Sequence, residues 1–370
     1  MSALFSPIKL RGLTLSNRIM VAPMCQYSSV DGEANDWHFT HVNSLALSGA
    51  AMFCIEATAV EAIGRITPGC LGLWNDATEA ALRPIIASVR KHSNIAIAMQ
   101  LAHAGRKASS HVPWDGGQLI PMSEGGWQAE GPSALPHKEG ETPPRALDAA
   151  GLARVRDAFV ATAKRAERLG LDALELHCAH GYLLHQFLSP ISNRRTDQYG
   201  GSLQNRMRYP LEVFDAIRAA FPKHKPVGIK VSATDWVDGG WDLPQTIEFA
   251  SELKKRGVDW IDVSSGGVSP QQKIPLGPGY QVPLAQAIKQ ATGVTTMAVG
   301  LITEPKQAEE IVASGKADMI ALARAMLYDP RWAWHAAAEL GGQVEAPPQY
   351  WRSQPSTHKA LFGATSFGAR

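Results

Sequence analysis

The sequence predicts an α/β fold, a single (β/α)8 barrel, from three observations. Short apolar segments alternate with amphipathic ones along the whole chain. The apolar segments lack the in–out alternation of a half-exposed strand, so they read as a sheet buried on both faces. There are eight such pairs, and βα units with right-handed crossovers close into one barrel. An open doubly wound sheet is the rival. It is weakened because no Gly-x-Gly-x-x-Gly follows the first strand.

Strands are predicted at Ile19–Val21, Met52–Ile55, Ile95–Met99, Ala173–Leu176, Val227–Val231, Trp260–Val263, Thr296–Val299 and Met319–Leu322. The helices predicted between or after them are His38–Leu47, Glu79–Lys91, Leu152–Arg168, Leu203–Ala220, Leu243–Lys255, Leu284–Gln290, Lys306–Ser314 and Trp332–Glu339. Two stretches break this rhythm. His103–Pro144, rich in Gly, Pro, Ser and Trp, reads as a long excursion after the third strand that covers the barrel mouth or carries a small hairpin. The polar and aromatic residues from Pro347 onward form a tail, so the chain divides into a barrel, 1–346, and a tail, 347–370, either disordered or docked, with a neighbouring subunit as one possible dock.

Composition narrows the function. At 370 residues and 45% hydrophobic content, the chain can bury a large core. Its net charge is +2 with no long Lys/Arg block, which argues against nucleic acid or an anionic membrane as partner. No apolar stretch approaches the roughly 20 residues of a membrane span. The N-terminus lacks the pattern of a secretory signal, and the four cysteines show no CxxC or zinc spacing. Sparse thiols fit a reducing, cytoplasmic setting.

Chemistry in a barrel collects at the C-terminal ends of the strands. Polar residues fall there on nearly every strand: Cys25, Gln26 and Tyr27 after the first; Glu56 and Thr58; Gln100, His103, Arg106 and Lys107; then His177, His180 and Tyr182 in the octet Glu175–Tyr182. Lys230 and Ser232 follow on the fifth, Ser264 and Ser265 on the sixth, and Gly300 and Arg324 on the last two. Two imidazoles can hold a developing negative oxygen, and a phenol can supply a proton. The ends at Gly300 and Arg324 match the recurrent phosphate cradle of this fold, although each alone reads equally well as a tight turn or a surface ion pair. His177-x-x-His180 would also suit a metal, but no carboxylate or third histidine lies in the same turn.

These strand ends resemble those of the old yellow enzyme family of flavin-dependent ene-reductases, in particular its bacterial, thermophilic-like branch. The resemblance runs from Leu4-Phe5-Ser6-Pro7 to Tyr350-Trp351-Arg352. Its most specific stretch is His177-Cys178-Ala179-His180-Gly181-Tyr182, continuing through Ser189-Pro190 and Asn193-Arg194-Arg195 to Asn205-Arg206.

The resemblance implies non-covalent FMN at the barrel mouth, reduced by NADPH or alternatively NADH. Ala22, Pro23, Met24 and Cys25 would line the isoalloxazine, and Ala57 and Gln100 its polar edge. Lys230, where the family usually has Arg, would face the N1/O2 edge, keeping the charge but losing the planar fork. Ser264, Gly300, Ala323 and Arg324 would hold the ribityl phosphate; Ala323 replaces a frequent Gly, which is tolerable if φ there is negative. Cys25 would tune the flavin. His177 and His180 would anchor the oxygen of an enone or nitro substrate, Tyr182 would protonate the α-carbon, and Tyr27 would add a contact. Trp351 and Arg352 would complete a neighbour's site in a homodimer or dimer of dimers. His185 reads as a loop or packing residue. Two alternatives stand beside this: a phosphate-binding lyase or aldolase using Lys230 as a Schiff-base amine, and a non-catalytic flavin redox sensor.

Overall fold

The computed structural model describes residues 2–365. Eight parallel strands close into a barrel: β3 (Ile19–Val21), β4 (Met52–Ala59), β5 (Ala96–Ala102), β8 (Ala173–Cys178), β9 (Val227–Ser232), β10 (Ile261–Ser264), β11 (Thr296–Ala298) and β12 (Met319–Leu322). Around it lie α1 (Asp36–Ala46), α2 (Asp76–His92), α3 (Ala149–Arg168), α5 (Leu203–Ala220), α6 (Leu243–Lys255), α7 (Val282–Thr292), α8 (Pro305–Ala313) and α10 (Trp332–Leu340). Every predicted strand and helix is present, and the single-barrel expectation stands. α1, α2 and α3 begin two or three residues earlier than their apolar periodicity suggests. Asn35, Asn75 and Asp148 cap them by accepting from the backbone amides of Trp37, Thr78 and Gly151.

Four features lay outside the periodicity. A hairpin of β1 (Ile8–Leu10) and β2 (Leu13–Leu15) closes the N-terminal end. Its Leu10 and Leu15 join Met20, Met52, Met297 and Trp260 in the barrel interior. Trp260 fills that interior so tightly that a Cβ on Gly228 would lie 2.0 Å from its indole, so glycine is required there for close packing. The short helices α4 (Leu183–Leu188) and α9 (Arg324–Tyr328) follow the fourth and eighth barrel strands. The excursion contains three 3-10 turns and a two-residue strand, β6 (Glu130–Gly131), that pairs in parallel with β7 (Arg145–Ala146). It packs Trp127 and Ala129 against Ala104, Ala108 and Tyr182, and so covers one side of the mouth.

The tail is docked. Val344, Trp334, Leu361 and Phe362 form a small apolar cluster against α10. No helix among the described residues is long and apolar enough to cross a membrane.

Candidate active site at the C-terminal end of the barrel

The octet folds as its composition requires. Glu175 and His177 point into the barrel from β8, both buried, and the chain then turns sharply through His180 (φ 57°) and Gly181 (φ 73°). A side chain at Gly181 would strike the carbonyl oxygen of Gly267 at 2.1 Å, so only glycine fits between the two loops. The turn brings three rings together. His177 lies 5.2 Å from His180 and 5.0 Å from Tyr182, centroid to centroid, both edge to face.

Protonation follows from the surroundings. Burial, with the Lys230 charge in support, keeps His177 well below its ordinary pKa. Burial and neighbouring His177 do the same to His180. Both are neutral imidazoles at physiological pH. His177 Nδ1 accepts the backbone N–H of Ala179 at 3.2 Å, so its proton sits on Nε2, which becomes a fixed donor. His180 Nε2 is 2.7 Å from the Ser264 hydroxyl. Ser264, expected at a phosphate, therefore contacts an expected oxygen anchor. Burial pushes the Tyr182 phenol well above its usual range.

Beneath these rings lies a buried polar layer. Gln100 donates to Glu175 at 2.8 Å, leaving its amide oxygen for another partner, and the Trp260 indole donates to the other Glu175 oxygen at 3.1 Å. Lys230, 5% exposed, lies 2.6 Å from Asp262. Burial alone would lower the Lys230 pKa, but Asp262 and Glu175 raise it above the ordinary value, so it is held as a cation. Glu175 is pushed up to about 7 by burial and by Asp262. The second Asp262 oxygen is buried without a partner among the described residues.

The remaining expected residues sit around the same mouth. Ala22 donates its backbone N–H to Leu322, joining the first and last barrel strands, and Pro23, Met24 and Cys25 continue half-buried from it. Burial raises the Cys25 thiol, which pairs with the Tyr27 phenol and the Ala57 backbone. Gly300 has φ 115°, and a Cβ there would meet Gln281 at 2.6 Å. Beside it Arg324 is exposed at the start of α9, and Ala323 has φ −103°, so its methyl is tolerated. A glycine-only cradle next to an exposed guanidinium suits a phosphate. A buried ammonium held charged by Asp262 and Glu175 suits an electron-rich ring edge. The donor set therefore fits FMN.

Trp351 and Arg352 are not at this mouth. The Trp351 indole donates to Ala346, and its ring packs against the α10 cluster. Glu345 and Ala346 border the chain just before β5, at the opposite end of the barrel. His185, expected to be a packing residue, is fully buried on α4. Its Nδ1 accepts from Gly181 N–H at 2.9 Å and its Nε2 lies 2.9 Å from Asp235, so it fixes the octet turn. Glu175, Asp262 and Lys107 were given no role by sequence. Only the exact strand register, which pairs Lys230 with Asp262 and Gln100 with Glu175, reveals the first two. The metal-type cluster among the described residues lies elsewhere: Glu61, His103 and Glu130, already bridged by Arg154 and Arg145.

A parallel barrel whose mouth carries a glycine-only turn at Gly300, an exposed Arg324 and a buried cation beneath hydrogen-bond donors fits a flavin-dependent oxidoreductase. The chain belongs to the NADH:flavin oxidoreductase / NADH oxidase family, whose sequence profile matches residues 3–342. It is 42% identical to an NADPH dehydrogenase of Geobacillus thermodenitrificans, covering 95% of this chain and 98% of that one. A Gibberella zeae NADH:flavin oxidoreductase is 43% identical over 93% of this chain and 87% of its own. Among solved structures, morphinone reductase superposes with a TM-score of 0.76 at 28% identity, covering 96% and 93% of the two chains. The old yellow enzyme resemblance is thereby established, and the protein is an oxidoreductase that uses FMN with NAD(P)H as reductant.

Proposed function

We propose that the protein is an ene-reductase that works by a ping-pong cycle on α,β-unsaturated carbonyl or nitro compounds. When bound, FMN would supply hydride chemistry linking NADPH to the β-carbon of the alkene in the same pocket. The observation that carries the reading is the crowding of two neutral imidazoles and one phenol at the end of β8. Nε2–H of His177 donates to the substrate oxygen, with His180 beside it, and this donor strengthens as charge develops there. Tyr182 gives its phenolic proton to the α-carbon, and Tyr27 flanks the substrate. Ala22, Pro23, Met24, Cys25, Ala57 and Gln100 line the flavin ring, Lys230 neutralises its electron-rich edge, and Ser264, Gly300, Ala323 and Arg324 hold the phosphate end. NADPH rather than NADH is the proposed natural reductant. The proposed location is the cytoplasm.

Tyr182→Phe is expected to slow enone reduction by roughly 10²- to 10⁴-fold, the span of a lost proton donor, while reduction of the enzyme by NADPH changes only a few-fold. Anaerobic stopped-flow absorbance of the two half-reactions measures both, and an equal loss in each sinks the assignment. The same spectra with NADPH and then 2-cyclohexenone separate the alternatives: an aldolase would be colourless, and a sensor would not turn over. Lys230 speaks against the aldolase, because Asp262 keeps it charged where a Schiff-base amine must be neutral.

We also propose that residues 347–370 are a tail distinct from the barrel and that Trp351 and Arg352 serve a neighbouring subunit in a dimer or dimer of dimers. Their position away from their own mouth supports this. Truncation before Tyr350 is expected to lower activity at least tenfold and to shift the oligomeric state in analytical ultracentrifugation. A fully active truncated monomer would refute it.

A further inference from the structure

Lys107 sits where three barrel loops meet, and sequence gives it no role. It follows β5, and its Nζ donates to the backbone carbonyls of His180 at 2.9 Å and of Gly267 at 3.1 Å. It therefore ties the loop after β8 to the loop after β10. These are the segments whose close approach demands glycine: a Cβ on Gly267 would lie 2.4 Å from the His180 backbone. The same ammonium stands 5.0 Å from the centroid of the Tyr182 ring.

Tyr182 is an unwilling acid. Burial first, then Cys25, Tyr27 and Cys70, push its phenol well above the ordinary range. Donating a proton breaks the O–H bond and leaves the electron pair on the phenolate, while the proton forms the new C–H bond at the substrate. Part of that negative charge spreads into the ring. A cation over the ring face is attracted to a neutral phenol and far more to a phenolate, so its effect is largest as the proton leaves. Solvent water then restores the phenol.

We propose that Lys107 is a positioning residue for the protonation step, holding the His180–Tyr182 turn and stabilising the Tyr182 phenolate from the ring face. This rests on the reading of Tyr182 as the proton donor. Arg106 and Lys138 face Lys107 as like charges, and Glu141 opposes them; His137, His177 and His180 all feel its field. Desolvation, then Arg106 and Lys138, bring Lys107 down to about 8. Its cation is therefore present below that pH and lost as pH rises through it.

The test is the rate of enone reduction by the pre-reduced holoenzyme between pH 6 and 10, for the native protein, Lys107→Met, Lys107→Arg, Tyr182→Phe and the Lys107→Met/Tyr182→Phe double variant. The native rate is expected to decline as pH rises through about 8. Lys107→Met should be slower by about ten- to a hundredfold at pH 7 and lack that decline. Lys107→Arg should keep most of the rate and move the decline beyond pH 10. In the Tyr182→Phe background, Lys107→Met should add no further loss. As a readout apart from turnover, ultraviolet difference titration of tyrosine should place the Tyr182 phenol lower in Lys107→Arg, whose cation persists at high pH, than in the native protein, whose Lys107 has lost its charge before the phenol titrates. Multiplicative losses in the double variant, or a decline near pH 8 that survives Lys107→Met, overturn the proposal while leaving Tyr182 as donor. A Tyr182→Phe protein as fast as native overturns both. If Lys107→Met does not fold, the displaced decline in Lys107→Arg decides, and an unmoved one counts against the proposal.

Discussion

Lys230→Met is expected to cost the protein several kcal/mol of stability and most of its bound FMN. The ammonium is 2.6 Å from Asp262, and both side chains are buried. Removing one partner of such a pair strands the other charge in a low dielectric, which costs about 3–5 kcal/mol. Here the cost is compounded, because Glu175 already shares the layer and is itself pushed up to about 7. Without Lys230 the two carboxylates face each other with only Gln100 and the Trp260 indole to soften them. The sign of the pH dependence follows. A carboxyl whose pKa is raised in the folded state binds more protons folded than unfolded, so stability falls as pH rises between the two values. The deficit of Lys230→Met should therefore be large at pH 8 and shrink towards pH 5, where Glu175 takes up a proton. Chemical unfolding at the two pH values reads this directly, and absorbance after gel filtration reads the FMN retained. Adding Asp262→Asn should recover much of the stability but not the flavin, because the neutral pair no longer strands a charge yet still lacks a cation. A single variant as stable as native at pH 8 would show that the pair is not what the geometry indicates.

The barrel itself was legible because its strands are buried on both faces and read as unbroken apolar runs. Two helices, α5 and α6, match their predicted limits residue for residue, since their apolar stripes extend to the caps at Ser202 and Asp242. The hairpin β1–β2 was not legible. Three-residue strands such as Ile8-Lys9-Leu10 carry no usable period, and only the barrel they close gives them a reason to pair. The octet was legible as chemistry because glycine, two imidazoles and a phenol cluster at one strand end. Its supports were not. His185 reads as a loop or packing residue until α4 forms and sets its ring against Gly181 and Asp235. Glu175 and Asp262 each read as an isolated acid in an apolar run, and only the barrel register puts them in one layer with Gln100 and Lys230. Ser264 was expected at the phosphate from its place at a strand end, and the contact of its hydroxyl with His180 at 2.7 Å was not legible there. Sequence order tells which strand end a residue occupies, and side-chain reach across the mouth decides what it touches.

His177→Ala is expected to slow enone reduction by about 10²- to 10³-fold, the loss typical of one fixed donor to a developing oxyanion. The tautomer makes the expectation specific. With Nδ1 accepting from Ala179, the only proton on the neutral ring is at Nε2. His177→Gln can offer an amide N–H near that point and should recover part of the rate, whereas His177→Asn places its amide near the Nδ1 position and should not. His180 cannot substitute fully, because its Nε2 is engaged with Ser264. Burial holds both imidazoles neutral, so the native rate should show no inflection near the ordinary histidine pKa of about 6.5. A rate that rises as pH falls through that value, and loses the rise in His177→Ala, would mean that an imidazolium is the anchor. Equal activity of the Gln and Asn variants would remove the tautomer from the argument. The expected pattern, Gln above Asn with a flat profile from pH 5.5 to 7.5, requires a neutral donor fixed by one backbone amide.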